Sequence, residues 1–139
     1  MVNKKNIFLI AIFIFFLGIF FRLYQLNFEN YWLDEMISFW ISDPNIPLNE
    51  TISRFKNIDD NTPFFNLILK NYLKVFGYSP ETARYAPFIF GVLSIPFLGI
   101  LSCQIKKDNS FLLTILLASI NIYLIKYSQE TRPYSLVFL

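Results

Sequence analysis

Three long apolar runs without charge most constrain how this chain folds. They cover residues 7–21, 85–105 and 111–125. About 20 consecutive apolar residues are enough to cross a bilayer as a helix. The whole chain is 55% hydrophobic and only 16% charged, whereas soluble domains are about a quarter charged. The pattern predicts an all-α integral membrane protein.

The charged and turn residues around these runs set the predicted segments. Membrane helices are expected at about 7–26, 85–105 and 111–126, with the start of a fourth at about 133–139. Such a late start leaves no room for a fourth crossing. We therefore expect this to be the N-terminal part of a longer protein; a short tail lying at the membrane interface is the alternative.

The basic residues next to the apolar runs indicate which ends face the cytoplasm. Lys4-Lys5 precede the first run and Lys106-Lys107 lie between the second and third. Short loops rich in Lys face the cytoplasm, so the N-terminus is predicted inside and the loop 27–84 outside. All but one of the ten acidic residues then lie outside. A signal peptide also has a basic start, but no small-residue cleavage site follows the long, bulky first run.

Polar residues within or beside the membrane segments have specific expected positions. Arg22 and Gln25 are expected to reach the lipid headgroups with their long side chains, while Ser119 and Asn121 are expected to face another helix. Pro87 and Pro96 are expected to kink the second membrane helix.

Composition excludes several classes of function. The net charge is only +2 and no basic run is interleaved with aromatic residues, so nucleic acid is not an expected partner. The single cysteine, Cys103, cannot form a disulfide framework. The chain has no histidine, which removes the commonest general base and metal ligand. Acid–base chemistry would have to use carboxylates, Lys or Tyr.

The outer loop is expected to fold into short amphipathic helices. One is predicted over 31–41, followed by a turn, and another from the cap signal Asn61-Thr62-Pro63 to residue 76 before Gly77. On the second helix, polar residues recur every four positions on an otherwise apolar rod. They are Asn66, Lys70 and Lys74. This pattern is typical of a helix lying flat in the membrane interface.

Three acidic spots follow or precede the apolar runs and are candidates for one shared site. Asp34-Glu35 stand on a predicted helix, where adjacent side chains point about 100° apart; one can face a site while the other pairs or caps. The alternative is that Asp34 and Glu35 are solvated residues in the first turn of a helix and have no role in a site. Asp60 lies in an acidic pair that would equally cap a helix. Glu130 is the third, and the topology predicts that it approaches Asp34 outside.

The segment after the third apolar run combines one acid, one arginine and two tyrosines within eight residues. Arg132 could hold a phosphate by forked hydrogen bonds, close to Glu130 and Tyr134. A Glu–Arg pair with an interfacial aromatic belt is the alternative.

The order of these features resembles the N-terminal region of integral-membrane glycosyltransferases that use lipid-phosphate sugars. Within them it is most similar to bacterial relatives of the protein O-mannosyltransferases and aminoarabinose transferases, which have the C-type glycosyltransferase (GT-C) fold. Four stretches spanning nearly the whole chain carry the resemblance: Trp32-Leu33-Asp34-Glu35; Asp60-Asn61-Thr62-Pro63-Phe64-Phe65 leading to Phe76-Gly77-Tyr78-Ser79; Ala83-Arg84-Tyr85 with Phe90-Gly91-Val92-Leu93-Ser94-Ile95-Pro96; and Tyr127-Ser128-Gln129-Glu130-Thr131-Arg132-Pro133-Tyr134-Ser135.

The resemblance implies an enzyme of a bacterial cell membrane whose site faces outward. Sugar would pass, with inversion, from a polyprenyl phosphate to a glycolipid, polysaccharide or protein. Asp34, with Glu35 beside it, would be the catalytic pair, acting as general base or arranging the donor and a metal. Glu130, Arg132, Tyr134 and Asp60 would contact the donor. A divalent metal could be held by Asp34 or Asp60.

The chain departs from this family at two points, and other functions stay open. Asn61-Thr62-Pro63 stands where many relatives have His-Pro-Pro, so that histidine is missing. Relatives also have many more membrane helices, so this chain alone is expected to be inactive. The alternatives are a small non-catalytic membrane scaffold or subunit, or a transporter fragment, although no acid stands within the three apolar runs.

Overall fold

The computed structural model describes residues 4–58, 63–105 and 110–139 and is helical, with no strand in these ranges. The helices are α1 (Lys4–Leu23), α2 (Leu33–Ile41), α3 (Leu48–Ile58), α4 (Phe64–Phe76), α5 (Pro80–Ile105), α6 (Ser110–Ile120), α7 (Ile122–Tyr127) and α8 (Tyr134–Val137). The prediction of an all-α chain is confirmed for this part. Asp60, the cap at Asn61-Thr62 and the basic turn at 106–109 lie outside the described residues.

Within the described ranges, two helices are long and apolar enough to cross a membrane, namely Lys5–Leu23 and Pro80–Ile105. The third predicted span is different, because the apolar helix Ser110–Ile120 is shorter and the chain breaks at Asn121. The Asn121 side chain accepts the backbone N–H groups of Tyr123 and Leu124, at 3.0 and 3.1 Å. Asn121 is therefore an exposed helix cap, and the prediction that it faces another helix is wrong.

The bundle of α1, α5 and α6 is held by close approach at glycines. A Cβ on Gly18 would lie 2.6 Å from Ile95 Cδ1 and 2.8 Å from Ser119 Oγ, and one on Gly99 would lie 2.5 Å from Ile115 Cγ2. Small residues allow helix backbones to approach closely. Ser119 is fully buried at this crossing, as the sequence predicts. The helix α5 continues through both of its internal prolines.

A second core joins α4 to the start of α5. Phe65, Leu69 and Leu73 are at most 1% exposed and pack with Ala83 and Ala86. Fully burying one such side chain contributes roughly 2–3 kcal/mol in water. The helix stops at Gly77, whose φ of +104° suits glycine, as predicted.

Two of the three residues in the polar stripe of α4 do not face a membrane surface. Asn66 is 3% exposed and its Oδ1 accepts a hydrogen bond from Ser42. The Lys70 ammonium donates to the carbonyls of Asp43 and Ile46. Asn66 and Lys70 thus satisfy the end of α2 and the turn after it, whereas Lys74 is exposed, so the interfacial interpretation is wrong for the first two residues of the stripe.

Candidate functional site

The end of α1, the start of α5 and the end of α7 meet at one end of the bundle. The Gln129 amide donates to the carbonyls of Arg22 and Tyr24, at 3.0 and 2.9 Å. Arg84, near the start of α5, donates to the carbonyls of Leu26 and Glu29 at 3.2 and 2.7 Å. These contacts bring the segment after α1, the start of α5 and the segment that holds Glu130 together; Asp59 and Asp60 lie outside the described residues.

Glu35 of α2 is paired rather than free. Its Oε1 accepts from Arg84 Nε at 3.1 Å and its Oε2 from Arg84 Nη2 at 2.8 Å. The same Oε1 accepts the Thr131 backbone N–H at 2.8 Å. The residue is only 1% exposed, so neither oxygen is available as a proton acceptor. Of the two adjacent acids, Glu35 is the one that pairs.

Tyr31 links the segment before α2 to the start of α5 and to the segment that contains Thr131. Its hydroxyl lies 2.7 Å from the Thr131 hydroxyl and 2.7 Å from the Pro80 carbonyl, to which it donates. Its ring lies beneath the Arg84 guanidinium, 4.7 Å from the ring centroid. Burial raises the pKa of Tyr31, so the hydroxyl keeps its proton and remains a donor.

Asp34 points to a different environment from Glu35. Its side chain is 39% exposed, and its Oδ2 lies 3.9 Å from Arg132 Nη2. Arg132 also donates to the Ser38 hydroxyl at 3.2 Å, and its guanidinium lies 5.9 Å from the Tyr134 ring centroid. Asp34 is the accessible carboxylate of the predicted pair, and Arg132, from the segment 127–135, lies beside it.

Glu130 is largely buried and has one loose ion pair. Its side chain is 14% exposed, and its nearest cation, Lys126 Nζ, is 3.9 Å away. Burial raises the pKa of Glu130, against the attraction of Lys126. A carboxylate with a raised pKa holds a proton more readily than an ordinary one, which suits a proton acceptor.

A cavity of about 780 Å³ opens beside Glu130. Such a volume is in the range of small-molecule sites. Aromatic rings of Tyr24, Trp32, Tyr123, Tyr127 and Tyr134 line much of it. The polar part of the lining includes Glu29, Lys126, Gln129, Glu130 and the Glu35–Arg84 pair. Asp34 and Arg132 are not among its lining residues, so the predicted site residues divide between the cavity and its neighbourhood.

The described residues do not offer a metal site. In the ranges 4–58, 63–105 and 110–139, no three His, Cys, Asp or Glu side chains are grouped to hold a metal ion. Asp34 has Arg132 as its charged neighbour, and a guanidinium opposes cation binding. We therefore derive no step through a metal ion; Asp60, the other candidate ligand, is outside the described residues.

Arg22, Arg84, Tyr31 and Gln129 are the residues whose roles sequence reasoning missed. Arg22 does not reach the headgroups, because it is 0% exposed. It donates to the carbonyls of Gly18, Ala118 and Ser119, next to the break at Asn121. The sequence does show that Arg22 is a charged residue at the edge of an apolar run. It does not show which groups the Arg22 side chain contacts.

Comparisons with models of protein families, with curated proteins and with solved structures find no match to this chain.

Proposed function

We propose that this chain is the N-terminal part of an integral-membrane glycosyltransferase that transfers a sugar from a polyprenyl phosphate on the outer face of the cell membrane. The observation that carries the proposal is the aromatic and acidic cavity beside Glu130, at the end of the apolar helices. A lipid-linked donor has its phosphate at headgroup depth and its prenyl chain in the bilayer, so its sugar would lie at this end.

The membrane location is supported by the exposure of the apolar helices. In the most apolar stretches of Lys5–Leu23 and Pro80–Ile105, only 17% and 22% of the residues are buried. Core helices of soluble proteins are mostly buried, so this exposure supports an apolar solvent around both helices. Since α1 packs along α5 and α6, it is a structural part of the bundle, which disfavours a cleaved signal peptide.

The proposed chemistry divides the carboxylates by environment. Asp34, the accessible one, takes the proton from the acceptor hydroxyl or amine as that atom attacks the anomeric carbon. The bond from the sugar to the phosphate oxygen breaks, and polyprenyl phosphate leaves with the electron pair. Arg132, beside Asp34, is placed to hold a phosphate oxygen, while Glu130 and Tyr134 contact the donor sugar. Glu35 positions Thr131 and thereby the segment holding Arg132.

The test is sugar transfer by the complete protein in membranes, with a panel of polyprenyl-phosphate hexoses and pentoses as donors. Asp34→Asn should lower the rate by about 10²–10⁴-fold, the usual contribution of a general base. The matched control is Asp43→Asn, since Asp43 lies in the same outer segment and only caps the turn at Asn45. Asp34→Asn activity close to wild type would refute the assignment.

A non-catalytic scaffold is the second candidate, and one observation favours it. Glu35 and Arg84 satisfy each other within the fold and need no substrate. No transfer by the wild-type complete protein from any donor in the panel would favour this reading.

A further inference from the structure

The helix α2 exposes an apolar stripe, although its buried face is mixed and carries Ile41 as well as two polar residues. Glu35 and Ser38 face inward, each 1% exposed. Leu33 and Met36 face outward and are 69% and 55% exposed. Surface helices of soluble proteins bury their apolar stripe, and a contiguous exposed apolar patch marks an interaction surface.

Both tryptophans of the chain belong to this outward face. Trp32 and Trp40 are 46% and 42% exposed, and the sequence contains two tryptophans in all. Tryptophan concentrates where the bilayer meets water, because its ring is apolar while its indole N–H can be hydrated. We refer to Trp32, Leu33, Met36 and Trp40 as the α2 outer stripe.

The ion pair to α5 fixes the depth of this helix along the bundle. Glu35 binds Arg84, and Arg84 is the last charged residue before the uncharged run 85–105. The helix α2 therefore lies at the level where the apolar surface of α5 begins.

A cationic side chain, that of Arg54, lies beside the stripe and is of the type that attracts lipid phosphates. The Arg54 guanidinium is 4.0 Å from the centroid of the Trp40 ring, and its Nη1 donates to the Trp40 carbonyl. Lys56, on the same helix α3, is exposed. Arg54 also pairs with Glu50 at 2.6 Å, so the exposed Lys56 is the residue of α3 whose charge supports contact with anionic headgroups.

We propose that the α2 outer stripe is embedded in the boundary between lipid headgroups and acyl chains, with a phospholipid bilayer as its occupant. This arrangement holds Asp34, next to Leu33, at headgroup depth, where a lipid-linked donor presents its phosphate. The inference rests on the membrane location in the proposed function, but it does not require sugar transfer.

Tryptophan emission, excited at a wavelength that the eight tyrosines do not absorb, reports on this stripe alone, because both tryptophans belong to it. The chain is reconstituted in vesicles of phosphatidylcholine and phosphatidylglycerol. The phosphatidylcholine is brominated either near the glycerol or near the methyl end of one acyl chain. We expect loss of tryptophan emission with both lipids, and a larger loss with bromine near the glycerol. Trp32→Phe and Trp40→Phe should each retain that order, which tests both ends of the stripe.

A buried position supplies the matched control. In a Trp32→Phe, Trp40→Phe background, Phe65→Trp places the only indole in the α4–α5 core, where Phe65 is 1% exposed. Its emission should resist brominated lipid. Quenching of the natural tryptophans by aqueous acrylamide but not by lipid would overturn the proposal. Protection from both, as expected under a second copy or another protein, would also overturn it, as would stronger quenching by bromine near the methyl end.

The single cysteine separates this inference from the membrane location. Cys103 is exposed on α5, so a fluorophore attached there reports whether α5 is in lipid. Quenching of that fluorophore with unquenched tryptophans would overturn only the placement of α2. Absence of both signals would overturn the membrane location as well.

Discussion

Both carboxylate oxygens of Glu35 accept hydrogen bonds from one guanidinium, that of Arg84, at 3.1 and 2.8 Å. The side chains are 1% and 5% exposed, so water contributes little to solvating either charge. The pair joins α2 to α5 across 49 residues of sequence. It also fixes Thr131, and with it the segment holding Glu130 and Arg132.

Breaking this pair should strongly destabilise the fold. Glu35→Gln and Arg84→Met should each lower the free energy of unfolding by roughly 3–5 kcal/mol, because each leaves the other charge buried without its partner. The double variant should lose less free energy of unfolding than the sum of the two single losses. Unfolding in detergent micelles measures all three. Glu50→Gln is the matched control, since its pair with Arg54 has a carboxylate side chain that is 46% exposed and should contribute at most about 1 kcal/mol. Equal losses for Glu35→Gln and Glu50→Gln would contradict the prediction.

A single methyl group at Gly91 should disturb the packing of α5 against the end of α7. A Cβ there would clash with Ser128 Cβ, so Gly91→Ala should lower the free energy of unfolding by roughly 1–3 kcal/mol. Ser128→Gly removes the clashing atom, so the double variant should recover part of that loss relative to additive single effects. Thermal melts of the four proteins give the comparison, and strictly additive losses would exclude a steric cause.

The Tyr31 hydroxyl should contribute more to stability than that of Tyr78. Tyr31→Phe removes the two 2.7 Å contacts with Thr131 and Pro80 but leaves the ring beside Arg84, and about 1–2 kcal/mol should be lost. Tyr78→Phe is the control, because its ring stacks on Phe39 at 4.2 Å while its hydroxyl is 3.5 Å from its acceptor. Denaturant unfolding should give a clearly lower free energy of unfolding for Tyr31→Phe than for Tyr78→Phe. The reverse order would contradict the hydrogen bonds of Tyr31.

Neutralising Glu130 should stabilise the protein in a pH-dependent way. Burial raises the pKa of Glu130 above its ordinary value of 4.5, so the folded state binds this proton more tightly than the unfolded state. The associated stability is fully present below the ordinary pKa and is lost as pH rises through the folded pKa. Glu130→Gln should therefore melt at a higher temperature than wild type at pH 7. The two melting temperatures should converge below about pH 4; a difference that does not change with pH would contradict this explanation.

Local signals were sufficient for much of the helical framework. The glycine at 77 ends α4 as predicted, and Ser79 caps α5, its Oγ accepting the Thr82 N–H at 3.2 Å. The two longest candidate spans follow directly from uninterrupted apolar sequence. The third was predicted too long, because the composition of 111–125 does not show that Asn121 takes two backbone N–H groups for itself.

The sequence alone determined where most helices form and which two of them are long and apolar enough to cross a membrane, because those properties depend on residues within a few turns of each other. Tertiary structure decided the partners. Only packing shows that Glu35 is buried against Arg84 while Asp34 stays accessible, and that Arg22 donates to carbonyls 96 and 97 residues away. It likewise decided that Asn66 and Lys70 of α4 contact the segment after α2, and that Leu33 and Met36 of α2 are exposed. Such choices depend on how rigid helices meet, and no local pattern along the chain specifies that geometry.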